Sequence, residues 1–403
     1  MNQEIRDFEE NDILPFDFPT SSPKIIKVIG VGGGGGNAVK NMFREGIHDV
    51  VFVVANTDQQ ALADSDVPIK LQLGRETTHG LGAGNDPGVA RKAAEESIED
   101  IKAQFKDETQ MVFVTAGMGG GTGTGAAPVI AKCAKDCGML TVGIVTIPFK
   151  FEQRNKIKQA LKGVREMSQN VDALLVISNE KLVEIYPGES LATGFKHADE
   201  TLTTATKSIA ELITCRGIIN LDFHDVRKIL KDGGVAIMST GIAKGENRVN
   251  QAFDAALKSP LLYNNDIYKS KKILFNIYQS NQAENHLMLD EMNEVRHFMD
   301  KFVDKNIEVI WGLAVDPNLT DEVKITVLAT GFGVESIPMM DDEEEADRVI
   351  ENIYGDRVDK RQLYLYEMTD ADLDNDALID AIESSPTYLR NSVGLSEIKA
   401  LRA

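Results

Sequence analysis

Ala116-Gly-Met-Gly-Gly-Gly-Thr-Gly-Thr-Gly-Ala126 follows one apolar run, Met111 to Thr115, and precedes another, Ala127 to Ala134. That order predicts a strand, a glycine-rich turn and a helix. Six of the eleven residues are Gly and two are Thr. Backbone N–H groups can converge on one point in such a turn, with no side chain in the way. The N-terminus of the following helix adds partial positive charge. Phosphate is the expected guest. A merely flexible loop has no need of threonines at fixed places between two apolar segments.

A second glycine-rich turn lies upstream. Ile25 to Ile29 reads as a buried strand and runs into Gly30-Val-Gly-Gly-Gly-Gly-Gly36-Asn37. A helix is expected over Ala38 to Glu45, then a strand over Val50 to Val54 that ends in Asn56-Thr57-Asp58. This is a βαβ unit with a phosphate-type turn. Gly30, Gly32 and Gly35 also satisfy G-x-G-x-x-G, a weak signal alone. A nicotinamide-type Rossmann enzyme therefore stays open, with Asp58 as its ribose-binding acid. Against it, one dinucleotide site has no need of the second turn at 117–125. Asn37 and Asn56 also put polar side chains beside the phosphates. No G-x-x-x-x-G-K-[ST] occurs, so there is no P-loop lysine.

The alternation continues. Helices are expected over 88–105, 126–137 and 157–169, and strands over 140–147 and 173–178. A parallel, doubly wound sheet follows, with its ligand at the carboxyl ends of the strands. Phe195, Ala198, Leu202, Ala205, Ile209 and Leu212 then mark one apolar stripe on a helix about 30 Å long. Its end leads into Gly217-Ile-Ile-Asn-Leu-Asp-Phe-His-Asp225. Asn220, Asp222 and Asp225 can hold a cation or orient a water. An Asp there can equally cap the helix expected at 225–231, and both readings stand. From Gly233 the pattern becomes α+β, with strands expected over Val235–Ser239, Lys272–Tyr278, Glu308–Ala314 and Lys324–Ala329. Helices are expected between them at 246–258 and 287–304.

Charge and composition bound the rest. The 403 residues suffice for two domains, and 42% hydrophobic with 26% charged content is ordinary for a soluble globular chain. The net charge of −20 argues against non-specific binding to nucleic acid or an anionic membrane surface. Residues 335–383 hold seventeen Asp/Glu against four Lys/Arg, so −13 of the charge sits in a segment that reads as a disordered acidic linker. Residues 1–23 read as a disordered arm without a signal-peptide core. Cys133, Cys137 and Cys215 imply no disulfide framework and, with no His pair beside them, no zinc site. No apolar stretch reaches transmembrane length, so no direct membrane insertion is expected.

Gly119-Gly-Gly-Thr-Gly-Thr-Gly125 resembles the signature of the tubulin superfamily, and Lys24 to Gly333 is similar throughout to its bacterial cell-division GTPases. The resemblance implies a Rossmann-like GTPase domain (24–194), a central helix (195–219) and a second α+β, synergy-loop domain (220–333). An acidic linker (334–383) and a partner-binding peptide (384–403) would follow. It implies that Gly33, Gly34, Gly35, Gly36 and Asn37, with Asn56 and with Gly120, Gly121, Thr122 and Gly123, hold the phosphates of GTP or GDP. Glu152 matches the ribose-binding position, while Lys156 stands where Arg is usual; Lys keeps the charge and loses the planar fork. Phe195 is expected to stack on guanine and Asp199 to accept its N1–H and N2–H.

Asn220-Leu-Asp-Phe-His-Asp225 is similar to the family's synergy loop, which completes the site of the next subunit in a head-to-tail filament. Asn220 would orient the loop, and Asp222 and Asp225 would polarise the attacking water or its cation. No protein metal site is implied; Mg²⁺ would ride on the nucleotide, with K⁺ as a further candidate. Ser384-Ser-Pro-Thr-Tyr-Leu-Arg390 resembles the peptide that binds FtsA-like membrane adaptors, with Tyr for Phe and Ser for Asp. Implied with it are other division-ring partners, a cytoplasmic location at mid-cell and no nucleic-acid partner.

Overall fold

In the computed structural model, residues 24–47, 49–214, 217–259, 267–303, 307–332, 366, 368, 375–385 and 392–401 are described. The expected N-terminal arm, most of the acidic linker and the peptide 386–390 lie outside them.

Strands β1 (Ile26–Val31), β2 (Val50–Asn56), β3 (Ile69–Gln72), β4 (Met111–Gly117), β5 (Leu140–Ile147) and β6 (Ala173–Ser178) form the first part of the sheet. They are parallel, in the order β3-β2-β1-β4-β5-β6. Ile26 pairs with Val50 on one side and with Met111 on the other. β1 and β5 are buried along their whole length. That is why they read as continuous apolar runs rather than as alternating ones.

Helices connect these strands. They are α1 (Gly32–Arg44), α2 (Gln59–Ala63), α3 (Arg75–Thr78), α4 (Pro87–Glu96), α5 (Ile98–Ala103), α6 (Gly121–Asp136), α7 (Arg154–Asn170) and α8 (Asn179–Ile185). The long α9 (Leu191–Thr214) follows. Its Ala198, Leu202, Ala205, Ile209 and Leu212 are buried against the sheet, as the stripe predicts. Phe195 departs from the stripe, being 42% exposed.

The boundaries correct three expectations. Both phosphate-type turns are shorter than expected, because α1 starts at Gly32 instead of Ala38 and α6 at Gly121 instead of Ala126. Low helix propensity hides these starts in the sequence. The helix expected over 88–105 is two, with Ser97 between them closing α4 and opening α5. The central helix is described over Leu191–Thr214, and Gly217–Ile219 is a short strand, β7, rather than the helix's last turn.

The chain continues through α10 (Phe223–Leu230), β8 (Gly234–Lys244), α11 (Arg248–Leu257), β9 (Lys272–Gln279), α12 (Met292–Val303), β10 (Glu308–Val315) and β11 (Glu322–Phe332). β8 pairs parallel with β6 at Ala173–Gly234, Leu174–Val235 and Leu175–Ala236. One eleven-stranded sheet therefore runs from β3 to β7. Beyond β6 it is mostly antiparallel, with β11 between β8 and β9.

A separate unit, 351–403, contains α13 (Asp376–Ser384) and α14 (Ser392–Ala400). α13 lies in the stretch expected to be a structureless linker. Asn375 caps it by accepting from Leu378 N–H at 3.1 Å, and its Nδ2 donates to Leu401 O at 2.9 Å. Leu378 and Ile398 are buried. The acidic residues of α13, Asp376, Asp380 and Glu383, masked five apolar ones between them, Ala377, Leu378, Ile379, Ala381 and Ile382.

Candidate nucleotide site

The strand order switches direction between β1 and β4, where chains leave to opposite sides of the sheet and open a crevice at the carboxyl ends. A cavity of about 510 Å³ occupies it. Two helix N-termini face one another there. Gly33 and Gly34 of α1 form one wall, and Gly120, which caps α6, forms the other with Gly121, Thr122 and Gly123. The first four N–H groups of each helix have no partner within it, so this wall is rich in donors and suits an anion.

Gly35 lies on the opposite side of α1. A Cβ there would stand 2.2 Å from Thr115 O, so Gly35 lets α1 lie directly on β4. Gly119 brings the chain into α6 at φ +101°, a conformation that side chains resist. Three bonds brace the turn. Thr124 Oγ1 accepts from Gly119 N–H at 2.9 Å, and Gln159 Nε2 donates to Gly119 O at 3.0 Å and Gly120 O at 3.2 Å. Thr57 Oγ1 meets Thr122 Oγ1 at 2.8 Å and ties the end of β2 to the start of α6.

Away from the helix termini the wall changes chemistry. Glu152 and Lys156 both line the cavity and pair with each other at 2.6 Å. Glu152 Oε1 also accepts from Phe149 N–H at 2.9 Å. Between Glu152 and α7 stands Gln153 at φ 78° and ψ 148°, a region that glycine alone occupies without strain. Phe195 meets Phe149 edge-on at 5.3 Å and Phe151 at 6.2 Å. Asp199 is half-buried one turn along α9, and burial, then the nearby Glu200, push its carboxyl up to about 6.

The structure thus brings Gly33, Gly34, Asn37, Gly120, Gly121, Thr122, Gly123, Glu152, Lys156, Phe195 and Asp199 to one cavity. Gly35, Gly36 and Asn56 do not line it. Gly36 has open space around it, and Asn56 is buried at the end of β2, where Oδ1 accepts from Asp58 N–H at 3.3 Å. Asp58 caps α2, accepting from Gln60 and Ala61 N–H, and does not line the cavity either.

Sequence reading passed over Asn179, which also lines the cavity. It is buried, and its Oδ1 has no partner among the described residues. Leaving that carbonyl unpaired costs about 1–3 kcal/mol, which a ligand N–H would remove. Its signal was position, since it follows directly on β6.

Asn220, Asp222 and Asp225 lie elsewhere, beyond the other end of α9. Asn220 Oδ1 accepts from Gly217 N–H at 2.6 Å. Asp222 and Asp225 form a reciprocal cap on α10, each carboxylate accepting the other's N–H at 2.9 and 3.1 Å. The capping reading is therefore realised within the subunit. It leaves the exposed Asp222 with a second carboxylate oxygen.

Comparison with known proteins places this geometry. Residues 25–187 match the Tubulin/FtsZ family GTPase domain, 234–333 the FtsZ family C-terminal domain, and 359–403 a further FtsZ C-terminal region. The cell division protein FtsZ of Porphyromonas gingivalis is 49% identical, over 98% of this chain and 91% of that protein. That of Coxiella burnetii is 45% identical over 79% and 82%. Among solved structures, an empty FtsZ dimer from M. jannaschii superposes with a TM-score of 0.70 at 41% identity, covering 77% of this chain and 88% of that one. The nicotinamide alternative falls with these matches, and with Asp58 engaged as a helix cap. The chain belongs to the FtsZ family of tubulin-related cell-division GTPases.

Proposed function

We propose that GTP fills the cavity between α1 and α6 and that a second copy of the chain completes the site for hydrolysis. The two helix N-termini, with Asn37 and Thr122, take the phosphates. Glu152 and Lys156 take the ribose, and Phe195, Asp199 and Asn179 the base. On this reading residues 24–194, with the first turns of the central helix, carry the nucleotide and 220–333 carry the activating loop.

One observation carries the proposal. The carboxylates lining the cavity are Glu152, already paired, and Asp199, at the base end. Among the described residues that line the phosphate end there is no acid or base to activate water. Asp222 and Asp225 lie past the far end of α9, whose axis runs about 22 Å from Asp199 to its last residue. They cannot serve their own nucleotide, and a head-to-tail copy would bring them to it. Such a contact is heterologous and repeats without closing, so filaments follow.

In the completed site a water attacks the γ-phosphorus in line as the bond to the β,γ-bridging oxygen breaks. Asp222 and Asp225 of the incoming copy orient that water and take its proton, and Asn220 holds the loop. The described residues contain no cluster of three His, Cys, Asp or Glu side chains that could hold a metal. A Mg²⁺ would come with the phosphates and offset their charge, and the Thr122 hydroxyl and Asn37 amide would be the neutral oxygen donors near it. K⁺ is the proposed monovalent companion of the acidic loop.

No described helix is long and apolar enough to cross a membrane. Attachment at the cytoplasmic face at mid-cell is proposed to run through an FtsA-like adaptor that binds 384–390. The test is specific activity against protein concentration. Turnover per subunit should rise through an assembly threshold; a flat rate from well below to well above it would refute completion in trans.

A further inference from the structure

His197 does not line the nucleotide cavity, yet it stands on α9 between two residues that do, Phe195 and Asp199. Its Nε2 lies 2.9 Å from Glu189 Oε2, in the loop before α9, and its Nδ1 2.9 Å from Glu200 Oε2, on α9 itself. The ring stacks on Tyr186, just past α8, at 3.8 Å and 11°. One side chain therefore ties the end of α8, the connecting loop and the base-binding turn of α9 together.

The protonation state follows from geometry. A neutral imidazole has one N–H. With a carboxylate oxygen 2.9 Å from each ring nitrogen, only the imidazolium can donate to both. The bond to Glu200 and then the one to Glu189 hold the ring above its ordinary range. Lys196 also faces Glu200, at 3.3 Å. The cavities on either side of the ring, about 310 and 250 Å³, present no other charged side chain than Glu200 and Glu189. Glu200 in turn is the charge that adds to burial in disfavouring ionised Asp199. The run Glu189, His197, Glu200, Asp199 is thus one coupled set leading into the cavity.

We infer that His197 is a positioning residue for base recognition: as imidazolium it pins Glu189 and Glu200 and fixes the first turns of α9, so that the Asp199 carboxylate meets the N–H groups of guanine. The inference rests on the proposed role of Asp199. Guanine affinity rises with pH as Asp199 ionises around 6. It falls again when His197 loses its proton, above the ordinary 6.5, since one ring N–H cannot hold both carboxylates and Glu200 is left with Lys196 alone.

The test is equilibrium dialysis of GTP and of inosine triphosphate, which lacks the N2 amine, against dilute full-length protein from pH 5.5 to 8.5. Wild type should lose about two- to fivefold in GTP affinity from pH 7 to 8.5, the size of an exposed ion-pair effect. His197→Gln should bind GTP more weakly by that factor at pH 7 and show no alkaline fall. His197→Lys, charged throughout, should keep the pH 7 affinity and also lose the fall. Any ionisation of guanine itself is common to all variants. Glu189→Gln breaks the same tie from the loop and should weaken pH 7 binding like His197→Gln, which covers a His197 variant that fails to fold. Wild-type pH profiles in His197→Gln and His197→Lys would overturn the inference. Asp199→Asn with unchanged GTP affinity and unchanged preference over inosine triphosphate would overturn the role of Asp199 instead.

Discussion

Replacing Asp199 by Asn should change which base the site accepts. In the empty protein this carboxyl titrates near 6 instead of 3.8, so holding it ionised costs about 3 kcal/mol relative to a solvated Asp. In the proposed complex guanine would repay that cost by pointing N1–H and N2–H at the two oxygens, two charge-assisted bonds of about 1.5–3 kcal/mol each. An amide accepts one of these and turns its own NH₂ toward the other donor. The expected loss is about 2–4 kcal/mol, or about 30- to 700-fold in Kd.

Xanthine carries a carbonyl where guanine has the amine. The amide introduced by Asp199→Asn can donate to that carbonyl while accepting N1–H, so xanthosine triphosphate should gain affinity in the variant as GTP loses it. Competition dialysis with both nucleotides measures the exchange. Wild type should lose GTP affinity about tenfold per pH unit well below 6, and the variant should not. Without nucleotide the sign inverts. A raised folded-state carboxyl means the fold holds the extra proton between pH 3.8 and 6, so stability falls as pH rises through that window. Equal loss of both triphosphates, or undiminished GTP binding, would refute the assignment.

Asp225→Ala should keep GTP affinity within a few-fold and lower turnover by at least about 100-fold; loss of nucleotide binding in that variant would point to a role within its own subunit. Gly35→Ala should destabilise by about 3 kcal/mol or more, because its Cβ would stand 2.2 Å from Thr115 O, and a melting temperature unchanged within about 2 °C would refute the close packing of α1 on β4. Gln153→Gly should stabilise by about 1 kcal/mol, raising the melting temperature by about 2–4 °C, since it releases a side chain from φ 78°; a lower melting temperature would show that Gln153 contributes contacts worth more than its strain.

The parallel half of the sheet was legible because its strands are buried on both faces. Leu140–Ile147 and Ala173–Ser178 were bounded correctly from their apolar runs alone. β3 was missed: Ile-Lys-Leu-Gln is four residues on an edge, with one fully buried side chain. The starts of α1 and α6 were hidden because glycine signals a turn locally, while the close approach of two helices overrides that signal. In the site, a glycine's side of its helix decides whether it faces the cavity, and spacing alone did not separate Gly34 from Gly35. Asn179 was invisible for a different reason. A lone Asn has no motif, its place after β6 is a weak signal, and its burial without a partner is what marks it. The pairing of β6 with β8 leaves no local trace at all, since Gly233–Gly234 reads as an ordinary turn.

If the site is completed in trans as proposed, the placement of the base-binding turn and the acidic loop at opposite ends of α9 sets a rule of counting. A row of n subunits has n−1 junctions, so the row always contains one nucleotide more than it has places to cleave it. That surplus nucleotide is always at the same extremity, the one where a cavity faces outward with no acidic loop above it. The two tips of the row are then chemically unlike, although every subunit is identical. A subunit arriving at one tip makes its predecessor's nucleotide cleavable, and a subunit arriving at the other brings a nucleotide that is cleavable on arrival.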